Sequence, residues 1–301
     1  LDEFLVENFH LPKDRASRVE SNYPALPALI SLLDIALDRK QPFGPNWNIA
    51  RLGDVREALE YAIYTLIKER LQQNPTNSHF ELFTRLAAGD GPYVISLNYD
   101  VIADNALMAV GRSQPTSTNR SYPEYECDIV TNEYRQGQKW GRLLKLHGSL
   151  NWSYCPNCHA MEIGVSRRWM TPEGWDVNQV FQCEACGTQL RTVLVAPTHR
   201  KDYRNPHIAQ VWYKAERLLR QAARVVFIGY SLPDDDVEVM YLLKRGLWDL
   251  RGPAVTVVEY DEQRRSLDEH DVGRRYRSLF GPGIDFNTDG MVSWLASARL
   301  P

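Results

Sequence analysis

Two cysteine pairs carry the most specific chemical signal in the sequence: Cys155-x2-Cys158, then 24 residues, then Cys183-x2-Cys186. Each CxxC turns two thiolates toward one point. Two such knuckles complete a tetrahedral tetrathiolate site of the kind that holds structural zinc. The gap exceeds the usual ~15–20 residues slightly, and Gly187 after the second pair suits the tight turn of a knuckle. A redox dithiol would need only one such pair. Four cysteines fill the shell, which leaves His159 outside it and leaves no open position for a substrate. The fifth cysteine, Cys127, stands alone.

A second set of candidates sits just past short apolar runs. Tyr93–Leu97 is followed by Asn98-Tyr99-Asp100, and Arg142–Leu146 by His147-Gly148-Ser149. Val225–Ile228 is followed by Gly229-Tyr230-Ser231, and Ala254–Val258 by Glu259. In an open parallel α/β sheet, ligands bind beyond the carboxyl ends of the strands. A histidine there can act as a general base, because its pKa lies near neutrality. A glycine followed by serine lets a ligand approach the backbone closely, and a strand-end carboxylate can hold ribose hydroxyls. Each residue also has a plain structural role. Asp100 can cap the next helix, His147 can be a hydrogen-bonded core histidine, and Glu259 can be a simple strand-end acid. Ser231-Leu232-Pro233-Asp234 reads as an N-cap with proline in the first turn. The functional case rests on the combination.

These residues need strands and helices to position them. Apolar spacing predicts helices over 24–38, 51–73 and 78–88, with a loop at Gln41–Asn48. Strands are expected at 93–97, 142–146, 191–195, 225–228, which reads as buried, and 254–258, while 284–286 and 290–297 close the chain. Helices are expected over 101–110, 207–222, 234–248 and 262–278, and 111–139 reads as polar and irregular. Alternating strands and helices predict a parallel α/β sheet covered on both faces. Trp169 and Trp175 are expected to pack the cysteine segment.

Composition excludes several classes. A chain of 301 residues, 44% hydrophobic, makes one large or two ordinary domains and a core that needs no disulfides. With 35 Lys+Arg against 38 Asp+Glu the formal net charge is -3, too little positive field to hold nucleic acid by bulk charge. No apolar run approaches the ~18–20 residues of a membrane span, and no basic-then-apolar leader opens the sequence. A cytoplasmic protein is the expectation, with no membrane or direct nucleic-acid partner.

The motifs together resemble the sirtuins. Leu97-Asn98-Tyr99-Asp100 resembles their asparagine–aspartate motif, and Lys145-Leu146-His147-Gly148-Ser149 their catalytic-histidine motif. The two CxxC pairs follow in the sirtuin order. Ile228-Gly229-Tyr230-Ser231-Leu232 resembles the element that holds a ribose of NAD, and Glu259 stands at the adenosine-ribose contact. The likeness spans roughly residues 93–262 and is greatest to the bacterial anti-phage branch, many of whose members destroy NAD.

The resemblance implies a Rossmann-like doubly wound parallel sheet with an N-terminal helical insertion and a zinc-ribbon insertion. It implies a helical module over 1–90, an NAD-binding domain over 91–152 and 191–301, and a zinc module over 153–190. It assigns Asn98 and His147 to catalysis, and Asp100, Gly229, Ser231 and Glu259 to NAD. It also implies an NAD hydrolase working as a homo-oligomer or with a defence partner such as a HerA-like ATPase. Two departures stand out. The glycine-rich loop and first strand of sirtuins have no counterpart before residue 90, and are expected upstream of Leu1. Val193–His199 replaces the Phe-Gly-Glu segment that lines the acyl-lysine channel of deacylases, which favours NAD hydrolysis over deacylation. His199 and Arg200 are weaker pocket candidates. The alternatives are an NAD-dependent protein deacylase and a non-enzymatic nucleotide-sensing module.

Overall fold

The computed structural model describes residues 1–14, 23–73, 78–87, 91–114, 120–164, 182–194, 205–234, 236–247 and 254–297. Trp169, Trp175, His199 and Arg200 lie outside them. The chain divides into two compact units, Leu1–Thr76 with Leu194–Arg204, and Asn77–Val193 with Asn205–Pro301.

The first unit is helical: α1 (Asp2–Phe9), α2 (Leu26–Arg39) and α3 (Ile49–Gln73). The predicted apolar faces meet in one cluster that includes Phe4, Ile30, Leu33, Trp47, Leu52 and Leu59. The Trp47 indole N–H donates to Glu7 Oε2 at 2.8 Å, satisfying the one polar atom of that ring. Leu66, expected on the same face, is exposed, so the apolar stripe of α3 extends beyond this core.

The second unit is α/β, and two of its three sheets are parallel, as the alternation of strands and helices requires. One sheet has the order β1-β3-β2, with β1 (Tyr93–Ser96), β2 (Ser121–Glu124) and β3 (Gln138–Lys145). The other has the order β7-β8-β9, with β7 (Arg224–Ile228), β8 (Ala254–Val258) and β9 (Asp285–Asn287). A third sheet, β5-β4-β6, carries the cysteine segment: β4 (Gly148–Tyr154), β5 (Met161–Ile163) and β6 (Arg191–Leu194). Helices clothe the parallel sheets: α4 (Ser78–Arg85), α5 (Ile102–Arg112), α6 (Asn132–Gln136), α7 (Pro206–Gln221), α8 (Val237–Gly246), α9 (Asp271–Phe280) and α10 (Gly290–Ser297). α7 packs on β3 and α8, while α10 packs on α4 and β8, so helices tie the two parallel sheets into one unit.

Three expectations change. Residues 111–139 are not irregular throughout, because they contain β2 and α6. β2 is short, polar and carries Pro123; it is tolerated because it is an edge strand, and its register slips between Tyr122 and Glu124. The helix expected over 262–278 begins only at Asp271. Upstream, the Asp261 carboxylate captures the amides of Gln263 and Arg265, and Glu269 captures the amide and hydroxyl of Ser266. Side chains that bind nearby backbone in this way compete with a helix. Val225–Ile228, expected to be buried, is half-buried, because β7 is an edge strand while Val255–Val258 of the neighbouring β8 are buried.

Candidate functional site

The carboxyl ends of β1 and β3 lie side by side, with Ser96 paired to Lys145. Past them, residues 145–150 grip residues 96–100 almost carbonyl by carbonyl. The Leu146 amide donates to Ser96 O at 3.0 Å, and the Leu150 amide to Tyr99 O at 2.9 Å. His147 Nδ1 lies 3.1 Å from Leu97 O, and Lys145 Nζ bonds Asp100 O. Asn98 and His147 are thereby brought to neighbouring strand ends. The Asn98 side chain is exposed and has no partner among the described residues, and its amide donates to Ser96 Oγ at 3.2 Å.

The histidine contact fixes its chemistry. A carbonyl oxygen only accepts, so Nδ1 carries the proton, and the lone pair of the neutral ring lies on Nε2. His147 is buried, its ring centroid 6.2 Å from that of Tyr99 and 6.4 Å from that of Trp212. The Trp212 indole N–H donates to Leu146 O at 2.8 Å. The sequence places Trp212 only on the apolar face of α7; its signal was a buried indole N–H that must find an acceptor. The Asp100 carboxylate binds the start of α5, where Oδ1 accepts the Ile102 amide at 2.8 Å.

Gly229, Ser231 and Glu259 gather at the ends of β7 and β8. Gly229 has φ +64, and a Cβ there would meet open space, so glycine serves the backbone conformation and leaves room in front of it. α9 holds this turn: Tyr276 donates to Tyr230 O at 2.8 Å, and Arg275 Nε to Ser231 O at 2.9 Å. The Glu259 backbone is fully engaged, its amide with Asn287 O at 2.9 Å and its carbonyl with the Gly290 amide at 2.8 Å. Its Oε1, by contrast, is buried with no hydrogen-bond partner among the described residues. Burial pushes the carboxyl above its usual range, opposed by His270, by a hydrogen bond from the Tyr260 amide and by Arg275. A buried acceptor without a donor is costly, and a ligand hydroxyl would satisfy it.

The third cluster is the cysteine set. The sulfur atoms of Cys155, Cys158, Cys183 and Cys186 all lie within 4.8 Å of one another. Cys155 Sγ is 3.4 Å from Cys186 Sγ, and Cys158 Sγ 3.5 Å from Cys183 Sγ. A tetrahedral zinc with Zn–S of ~2.3 Å needs sulfurs about 3.8 Å apart, so donor set and geometry both fit that ion. Hydrogen bonding with Thr188, side chain then backbone, and with Asn157 holds the Cys186 thiol down at about 5, while burial pushes the Cys183 thiol up to about 12. Cys127 is buried, its thiol is pushed up by that burial, and it lies outside the set.

The two knuckles share one turn. The His159 amide closes on Cys155 O at 3.0 Å, and the Gly187 amide on Cys183 O at 2.8 Å. Both residues are left-handed, with φ 62 at His159 and 71 at Gly187. A Cβ at position 187 would touch nothing within 4 Å. Gly187→Ala therefore adds only backbone strain, with an expected cost of about 1–2 kcal/mol and zinc content unchanged. Thermal melts with metal analysis check this, and an unchanged melting point would contradict it.

No protein-family model matches the chain, and no curated protein matches it. Among solved structures, it is similar to a triple mutant of a Sir2 homologue in complex with 2'-O-acetyl ADP ribose. The identity is 17%, with 82% of this chain and 74% of that chain covered, at a TM-score of 0.44. It is also similar to a Sir2 homologue in complex with NAD, at 17% identity, covering 91% of this chain and 80% of that one, at a TM-score of 0.43. A point mutant of a Sir2 homologue with ADP ribose matches at 16% identity over 83% and 73%, again at a TM-score of 0.43.

Proposed function

We propose that this chain cleaves NAD to nicotinamide and ADP-ribose, with water as the acceptor. One observation carries the reading: a neutral amide and an imidazole of defined tautomer flank one pair of parallel strand ends. The motifs that supply them match the sirtuin motifs in order and spacing.

In this reading Asn98 holds the nicotinamide ribose and orients water toward its anomeric carbon. The bond from that carbon to nicotinamide breaks, and nicotinamide leaves with the bonding pair. Water supplies the new bond, and its proton goes to Nε2 of His147, directly or through a ribose hydroxyl. Positive charge builds on the sugar, and two neutral groups position it without opposing it. Asp100 supports the loop that carries Asn98. Gly229 and Ser231 admit the adenosine half, and Glu259 accepts a hydroxyl of its ribose. Zinc, when bound, supplies a fixed cross-link between the knuckles, and no step passes through it. The setting we propose is cytoplasmic anti-phage defence, as a homo-oligomer or under a HerA-like ATPase. Among the described residues no helix is long and apolar enough to cross a membrane.

Calorimetric titration tests the substrate class. The expected result is saturable binding of NAD to one site per chain, in competition with ADP-ribose. No binding of either would sink the reading. Glu259→Gln adds a paired test. An acid whose pKa is raised in the fold destabilises the protein at every pH above its unfolded value. The glutamine variant is therefore expected to melt higher at pH 7, the gain vanishing below about pH 4, where both carboxyl states are protonated. At the same time its KM for NAD is expected to rise roughly tenfold, the worth of one hydrogen bond to a charged group. Melts across pH with initial rates at neutral pH check both halves.

A further inference from the structure

The strand β3 ends Leu143-Leu144-Lys145, and all three residues are buried, with Lys145 at 0% exposure. A lysine at such a position needs a charged partner. It has one in Asp104 of α5: Nζ lies 3.0 Å from Oδ2, and both side chains are 1% exposed. The other oxygen of Asp104 accepts the Tyr125 hydroxyl at 2.6 Å. Tyr125 is itself buried, against Trp152 of β4, with ring centroids 5.4 Å apart. The lysine also donates to the backbone carbonyl of Asp100.

Stability alone does not account for this arrangement. Apolar residues of similar volume can replace a buried ion pair without loss, and often with gain. They cannot hold a carbonyl. The carbonyl held here ends the short segment that carries Asn98, and the Asp100 carboxylate is already committed to the Ile102 amide. With Lys145 in place, both polar ends of Asp100 are fixed, and Asn98 is anchored on its C-terminal side.

We propose that Lys145, held by Asp104 and Tyr125, is a positioning residue that fixes the Asn98–Asp100 loop for catalysis. The catalytic half of this inference rests on the NAD-cleaving reading; the loop-fixing half does not.

The test compares wild type with Lys145→Met and with the double variant Lys145→Met/Asp104→Leu. The single variant leaves Asp104 buried and alone, and a large drop in melting temperature is expected. The double variant removes both charges, and most of the melting temperature should return. Its tether to Asp100 stays broken, so hydrogen exchange of the amides over 97–102 should quicken at least tenfold. Turnover of NAD should fall at least tenfold in kcat with KM within about twofold, because the misplaced group acts on the reacting sugar rather than on the bound adenosine. A folded double variant with wild-type exchange and wild-type kcat would overturn the inference and leave the pair structural. If the wild type turns over no NAD, the functional reading fails, while the exchange measurement still decides whether Lys145 fixes the loop.

Discussion

Asn98→Ala is expected to lower kcat for NAD cleavage by at least ~10²-fold, the usual loss when one preorganised hydrogen-bonding group is removed from a reacting centre. The fold and the metal content should not change, because the Asn98 side chain is exposed and bonds nothing among the described residues. His147→Ala should lose as much or more, roughly 10²–10⁴-fold, by removing the general base. It also removes the bond from Nδ1 to Leu97 O, so a modest fall in stability, about 1 kcal/mol, should accompany it. The two variants thus separate chemistry from scaffold. Initial rates with circular dichroism and metal analysis check them, and an Asn98→Ala protein of wild-type activity would remove the site assignment.

Cys183→Ser carries the second large effect. Each knuckle contributes two of the four sulfurs, and a structural zinc site contributes its binding free energy to folding. Zinc content should fall from about one ion per chain to a small fraction, and the melting temperature should fall with it. The consequence should reach the other end of β4. That strand runs from Gly148, beside His147, to Tyr154, beside Cys155, and Trp152 within it is buried against Tyr125. Loosening the cysteine end removes the anchor from a strand whose Leu150 amide holds Tyr99 O. Turnover should therefore drop although zinc takes no part in the reaction. A metal-free variant as stable and as active as wild type would contradict this.

Much of this architecture was legible because its signals are local. A run such as Val225–Ile228 or Ala254–Val258 announces a strand, and the polar residues just past it inherit a place at the strand end. Two CxxC pairs announce a shared metal site whatever the chain does between them. The structure adds the cap of α7, where Asn205 Oδ1 accepts the His207 amide at 3.0 Å.

What could not be read depends on contacts distant in sequence. Nothing local joins Lys145 to Asp104, 41 residues away, or Trp212 to Leu146, 66 residues away. The hints were chemical misfits, a lysine in an apolar strand and an aspartate among Ala103, Ala106 and Leu107 on the buried face of α5. β2 was hidden because an edge strand needs little apolar patterning. The late start of α9 was hidden because Asp261 and Glu269 outcompete helix formation through side-chain bonds that propensity does not describe. The plain and the functional readings of His147 turned out to be compatible. The bond that makes it structural is the bond that sets its tautomer.

NAD cleavage with water as acceptor is tested by incubating the purified wild-type protein with NAD, with and without an acetyl-lysine peptide, while following nicotinamide and the ADP-ribose product. The expected result is nicotinamide and free ADP-ribose in equal amounts, at a rate the peptide does not change. Nicotinamide released only with peptide, together with an O-acyl ADP-ribose, would contradict it in favour of deacylation. No nicotinamide from either mixture would contradict it in favour of a nucleotide-binding module.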